Sequence, residues 1–109
     1  IKGGMDRFRD FIYIDDVVEA TLATLESKKS VGKIYNVGTG KKTTVRQLME
    51  SLISISGIKK EIIFADGTPG DQKGIYADIS LITDELKFNP RYTLETGLAK
   101  MIEWARVTL

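Results

Sequence analysis

Residues 44–57 mark both ends of a helix in their own chemistry. Thr44 and Gln47 have the S/T-x-x-E/Q spacing of a capping box, in which each side chain accepts from the other residue's backbone amide. Val45, Leu48, Met49, Leu52 and Ile53 then recur on one helical face. Gly57 suits the left-handed position just past the last turn. Directly upstream, Lys33, Ile34, Tyr35, Asn36 and Val37 form a β-branched and aromatic run that predicts a strand. Gly38-Thr39-Gly40 joins the two. A strand, a tight turn and a capped helix in that order are half of a βαβ unit, and few folds accept such a unit without a sheet.

The rest of the chain repeats the alternation. Phe11, Ile12, Tyr13 and Ile14 predict a strand, and Asp15-Asp16 ends it. Asp16 and Glu19 have capping spacing, and Val18, Leu22 and Leu25 follow at helical intervals. Residues 61–64 predict a third strand, and residues 66–74, rich in Gly, Pro and Asp, predict a loop. Asp78 is placed to cap a short helix carrying Leu81, Ile82 and Leu86, which Asn89-Pro90 breaks. Thr93 is placed to cap a last helix with Leu94, Leu98, Met101, Ile102 and Ala105 inward. Trp104 and the methionines fit core positions. The order β-α-β-α-β-loop-α-α predicts an α/β fold with a small, mainly parallel sheet, since crossovers return each strand in the same direction.

The inventory of reactive groups excludes much. In 109 residues there is no His and no Cys, which removes the commonest general base, the commonest metal ligand, thiolate chemistry and disulfides. A count of 16 Lys and Arg against 15 Asp and Glu gives no broad basic surface for a nucleic acid. No apolar run is long enough to span a bilayer. These features predict a cytoplasmic setting with no nucleic-acid or membrane partner. With Ile1 rather than Met in first place, the chain reads as a piece of a longer one.

Gly38-Thr39-Gly40 stands where a dinucleotide-binding turn would, but Thr43 replaces the third glycine, and only Glu61 loosely meets the acidic position further on. The turn is better read as a plain strand-to-helix connection with a good cap. Arg9, at a strand edge, has a planar fork that matches paired oxygens of a phosphate. From spacing alone, pairing with Asp10 or Asp6 on a solvated surface is the better reading. Asp71 ends the Gly67-Thr68-Pro69-Gly70 turn with a carboxylate suited to two vicinal hydroxyls, or serves as a surface turn residue. None of the four tyrosines has a lysine four places on, so no Tyr-x-x-x-Lys proton-transfer pair is present.

Taken in order, Arg9-Asp10-Phe11-Ile12-Tyr13-Ile14-Asp15-Asp16, Ile34-Tyr35-Asn36-Val37-Gly38-Thr39-Gly40, Pro69-Gly70-Asp71, Tyr76-Ala77-Asp78 and Leu94-Glu95-Thr96-Gly97-Leu98 resemble the C-terminal part of the extended short-chain dehydrogenase/reductases. Those are NAD-dependent nucleotide-sugar epimerases and dehydratases, and the likeness is greatest to UDP-glucose 4-epimerase-like members. The resemblance implies that residues 1–109 are the nucleotide-sugar-binding C-terminal domain fragment, lacking the N-terminal Rossmann core that binds NAD and carries Tyr-x-x-x-Lys. It implies Arg9 on the diphosphate of a nucleotide-diphosphate sugar, Asp71 on the nucleoside ribose, Ile75 in the hexose pocket, and Thr68 where many members have a second diphosphate-binding Arg. The implied reaction is epimerisation through a 4-keto-sugar, with 4,6-dehydration or reduction as alternatives. The implied full-length enzyme is a homodimer, and the fragment alone is inactive. A stand-alone nucleotide- or phosphate-binding module at residues 38–43, or a structural module, remains the other reading.

Overall fold

The computed structural model describes residues 1–109. Four helices dominate it: α1 (Ile14–Glu26), α2 (Val45–Ser56), α3 (Ser80–Leu86) and α4 (Leu94–Thr108), with one turn of 3-10 helix at Lys28–Ser30. Strands are confined to β1 (Phe8–Arg9) and β2 (Thr43–Thr44), which pair antiparallel with Phe8 opposite Thr44. Two isolated parallel bridges, Lys2 to Ala65 and Phe8 to Gly74, complete the strand pairing.

The expected small, mainly parallel sheet is therefore absent, and the α/β fold class is corrected to a helical fold with a two-residue antiparallel ladder. The reason lies in partners rather than propensity. Phe11, Ile12 and Tyr13 lie outside both strands, and Ile14 already belongs to α1. No backbone hydrogen bond runs to or from residues 34–37. Residues 61–64 meet only the start of the chain, where the Ile1 ammonium donates to the Ile63 carbonyl at 2.6 Å. A β-branched run favours an extended backbone, but a strand also needs a neighbour's amides and carbonyls.

The helix signals fare better because they are local. Thr44 and Gln47 form the reciprocal capping box, and Gly57 ends α2 at φ 68°. The amides of Val45 and Arg46 find the carbonyls of Arg7 and Met5 at 2.8 and 3.1 Å. At the other end, the Arg106 guanidinium of α4 donates to the Ser56 carbonyl at 2.8 Å, placing a cation at the negative end of α2. Thr93 caps α4 with Thr96. Asp78 accepts from the Ser80 amide and hydroxyl, one position further out than a cap on Ile79 would be.

Asp16 is a correction. It lies inside α1 and caps nothing; the N-cap is Tyr13, without a side-chain bond. Its carboxylate, 1% exposed, accepts from the Arg91 and Tyr92 amides at 3.0 and 3.1 Å and pins the α3–α4 connection to α1. A buried carboxylate with two amide donors is stable where an unpaired one is not. The buried face of α1 is thus Asp16 and Ala20, and the apolar positions Val18, Leu22 and Leu25 face outward. Trp104 and Met101 are likewise exposed rather than core. The core proper is Ala20, Ile82 and Phe88, ringed by Ile12, Tyr35, Ile79 and Leu86.

One carboxylate joins three distant segments. Asp10 accepts from the amides of Thr39 at 2.9 Å, Gly40 at 2.9 Å and Ala77 at 3.2 Å, and from the Thr39 hydroxyl. The approach is so close that a Cβ on Gly38 would lie 2.6 Å from the Asp10 carboxylate and 2.7 Å from Ala77 Cβ. Partial burial pushes the Asp10 carboxyl up, but the hydrogen bonds from Thr39, Gly40 and Ala77 outweigh it and hold it below the ordinary carboxylate range. A carboxyl with a depressed folded value contributes stability above its unfolded pKa of about 4, and that contribution is lost as pH falls through the folded value. Asp10→Asn turns an amide donor toward donors and is expected to cost about 1–3 kcal/mol at neutral pH. Thermal melts of both forms should show a constant gap from pH 7 to pH 5 that narrows in stronger acid; a gap independent of pH throughout would refute the charged hub.

Candidate functional site

The loop after the third extended segment is tied to β1. The Phe8 amide donates to the Lys73 carbonyl at 3.1 Å, and the Ile75 amide donates to the Phe8 carbonyl at 3.4 Å. Phe8 presses its ring on Gly74, where a Cβ would sit 2.4 Å from the ring. Lys42 stands 4.9 Å from the Phe8 ring centre and 5.0 Å from that of Tyr76, a cation over two aromatic faces. Position 8 thus anchors the loop, and the neighbouring positions 7 and 9 address it with charge.

Within the loop, Pro69 and Gly70 (φ 86°) occupy the central places of a turn closed by the Asp71 amide on the Thr68 carbonyl at 3.1 Å, the pattern of a type II turn. The turn brings Asp71 Oδ2 within 3.0 Å of the Thr68 amide. The carboxylate also takes a contact from Arg7 Nη1 at 3.2 Å and stays 40% exposed. Arg9 directs Nη1 to the Phe8 carbonyl at 2.7 Å and Nη2 to the Gln72 carbonyl at 3.5 Å.

Of the residues singled out in the sequence, Arg9, Thr68 and Asp71 therefore meet around one loop, and Ile75, 59% exposed, lies just beyond it against β1. Thr68 contributes its amide; its hydroxyl has no partner within the chain. The four residues form an open face rather than an enclosed cavity. A separate cavity of about 490 Å³ lies between the starts of α2 and α4, lined by Lys41, Lys42, Gln47, Tyr92 and Thr93 among others, and includes none of them.

Arg7 escaped the sequence reading. The signal was there: alternate residues of an extended chain point the same way, so Arg7 and Arg9 share a side. Asp10 also escaped it, because its three amide partners lie 29 to 67 positions away.

The Gly38-Thr39-Gly40 turn is not a phosphate cradle. Its Thr39 and Gly40 amides are occupied by Asp10, and a phosphate would have to displace a carboxylate already bonded there. These residues do not fit NAD either: the turn offers no free amide pair for a pyrophosphate, and no Tyr-x-x-x-Lys pair is present. No group of three or more acidic side chains converges on a metal-sized site. No helix is long and apolar enough to cross a membrane.

Comparison with known proteins identifies the family and the fold. UDP-glucose 4-epimerase 1 of Oryza sativa subsp. japonica is 32% identical over 102 residues, covering 89% of this chain and 29% of that protein. The crystal structure of UDP-glucose 4-epimerase from Thermotoga maritima with UDP-glucose superposes with a TM-score of 0.90 at 35% identity, over 99% of this chain and 34% of that one. UDP-glucuronic acid 4-epimerase from Bacillus cereus, in complex with UDP-glucuronic acid and NAD, gives a TM-score of 0.91 at 32% identity, over 100% of this chain and 35% of that one. The chain spans about a third of the length of these relatives. Residues 1–101 match the family model described as GDP-mannose 4,6 dehydratase, and the chain belongs to that family of NAD-dependent nucleotide-sugar epimerases and dehydratases.

Proposed function

We propose that residues 1–109 are the nucleotide-sugar-binding, C-terminal part of an NAD-dependent sugar-nucleotide 4-epimerase. The observation that carries this reading is the convergence of Arg9, Thr68 and Asp71 on one loop, with the Asp71 carboxylate half-open to solvent. Arg9 offers a fork of donors for the diphosphate. Asp71 keeps Oδ1 without a partner, ready to accept from ribose hydroxyls. Thr68 adds a hydroxyl donor, and Ile75 presents apolar surface to the hexose. Held at its nucleotide end, the sugar is positioned for chemistry performed by other residues, and such remote binding lowers the barrier by orientation.

NAD and the proton-transfer pair belong, in this reading, to chain outside residues 1–109. The physical support is unfinished packing. Only 7 of 109 residues are buried, far short of a self-sufficient core. Ile34 is 90% exposed on an extended segment with both edges unpaired. Its backbone amides and carbonyls have no partner among these residues and are open to another surface. The stripe Val18, Leu22 and Leu25 on α1 is equally uncovered. We place the full-length enzyme in the cytoplasm as a homodimer. Dehydration or reduction of the same keto-sugar are the alternative outcomes within this family.

Two measurements test the reading. Isothermal titration of UDP into the full-length protein should show Arg9→Gln and Asp71→Asn each weakening binding by about 1.5–3 kcal/mol, the range for a hydrogen bond to a charged group. Asp71→Asn should also erase the preference for UDP over 2′-deoxy-UDP; unchanged affinities in both variants would refute the site. Residues 1–109 alone should show no epimerisation of UDP-glucose with added NAD and should bind the dye ANS through the uncovered apolar faces. Turnover by the isolated chain would defeat the half-enzyme reading.

A further inference from the structure

The charges around the loop at residues 68–72 do not balance. Two guanidiniums, Arg7 and Arg9, reach it, and a single carboxylate, Asp71, answers them. Arg9 is bonded only to carbonyl oxygens and takes part in no ion pair. Arg7 uses one nitrogen, Nη1, on Asp71 Oδ2, so its other N–H donors are uncommitted. The open face therefore carries one positive charge more than negative, with free planar donors, beside a carboxylate oxygen that has no partner.

The placement of Arg7 is built into the chain. Its side chain is 22% exposed and lies across Gly3, which holds φ 90°. A Cβ at Gly3 would stand 2.2 Å from Arg7 Nη1 and 3.0 Å from its Cδ. Gly67 closes the same corner, where its own Cβ would lie 3.2 Å from Gly3 Cα. Gly3 is held there by its amide on the Ala65 carbonyl at 2.9 Å. A floor without side chains thus lets the guanidinium lie flat and reach Asp71, and the carboxylate orients it in turn.

We infer that Arg7 is a second diphosphate-binding residue, seated by Gly3 and oriented by Asp71, so that one carboxylate links recognition of the ribose to recognition of the phosphates. Asp71 Oδ2 keeps Arg7 in place while Oδ1 accepts from the sugar. The uncommitted donors of Arg7 and those of Arg9 then flank an anion carrying two phosphate groups. This inference rests on the assignment of Arg9 and Asp71 to nucleotide binding. It adds the residue, its glycine floor and the coupling.

The test titrates uridine, UMP and UDP into the full-length protein carrying wild-type residues, Arg7→Gln, Arg7→Lys, Gly3→Ala or Arg9→Gln. Arg7→Gln should weaken UDP by about tenfold or more, the usual effect of losing a charge-assisted contact. UMP should weaken less and uridine hardly at all. Arg7→Lys should recover part of the UDP affinity. Gly3→Ala, which leaves the arginine present but pushes it off its floor, should reproduce the phosphate-dependent loss. Arg7 sits in a partly exposed ion pair, and thermal melts of each variant identify any that is unfolded; Arg7→Lys and Gly3→Ala decide the matter if Arg7→Gln is. If Arg9→Gln weakens UDP while the Arg7 and Gly3 variants bind it like wild type, the inference is overturned and the site stands. If Arg9→Gln also binds UDP like wild type, the site itself is overturned.

Discussion

The Asp10 carboxylate bonds three segments of the chain together at one point. It sits one residue after β1 and gathers the amides of Thr39, Gly40 and Ala77. Each donor comes from a turn or an extended stretch whose amides no ladder satisfies. In a chain with only a two-residue sheet, such amides would otherwise be costly to bury. A carboxylate accepts several donors at once, and its charge strengthens each contact. Thr39 and Gly40 are thereby fixed just upstream of β2 and α2, and Ala77 just upstream of α3. The turn that resembles a nucleotide cradle is thus a structural joint.

The consequences reach the candidate site through β1. With Asp10 fixed, Arg9 stands at the end of a strand whose other residue, Phe8, is clamped between Gly74, Tyr76 and Lys42. The loop carrying Thr68 and Asp71 returns to Phe8 through the Lys73 carbonyl and the Ile75 amide. The side chains that face the open surface are thus held from behind by backbone pairing and aromatic packing. Positional precision at a binding face depends on such support. A mobile arginine would lose rotamer entropy on binding; one laid across a glycine floor loses less.

Legibility in the sequence divides along range. The capping box at Thr44, the cap at Thr93 and the stop at Gly57 were readable because donor, acceptor and glycine lie within one turn of each other. The strands were not, because a run such as Ile34-Tyr35-Asn36-Val37 states its extended preference and says nothing of its partner. Asp16 had the spacing of a cap, but the Arg91 and Tyr92 amides, 75 and 76 positions away, claimed its carboxylate. The period of Val18, Leu22 and Leu25 was correctly helical, but period alone does not say whether the stripe faces this chain's core, and it is exposed. Arg9, Thr68 and Asp71 were picked out by resemblance, and their meeting came from a 60-residue return of the chain that local pattern could not state.

That same division bears on what the uncovered surfaces mean. Exposed apolar residues scattered singly are ordinary on any protein. Here they cluster: a helical stripe on α1, Val31 in the turn that closes the 3-10 helix, and Ile34 on a segment without backbone hydrogen bonds, all within 17 residues of one another. A backbone without hydrogen-bond partners beside an uncovered apolar helical stripe is a surface that another surface can cover. The charged face with Arg7, Arg9 and Asp71 is drawn from other segments, the start of the chain and the loop at 66–75, which pair with each other inside residues 1–109. The apolar stripe on α1 and Ile34 are left uncovered, while the segments that gather Arg7, Arg9 and Asp71 supply their own support. Because the two surfaces are drawn from different segments, covering the first would leave the second exposed.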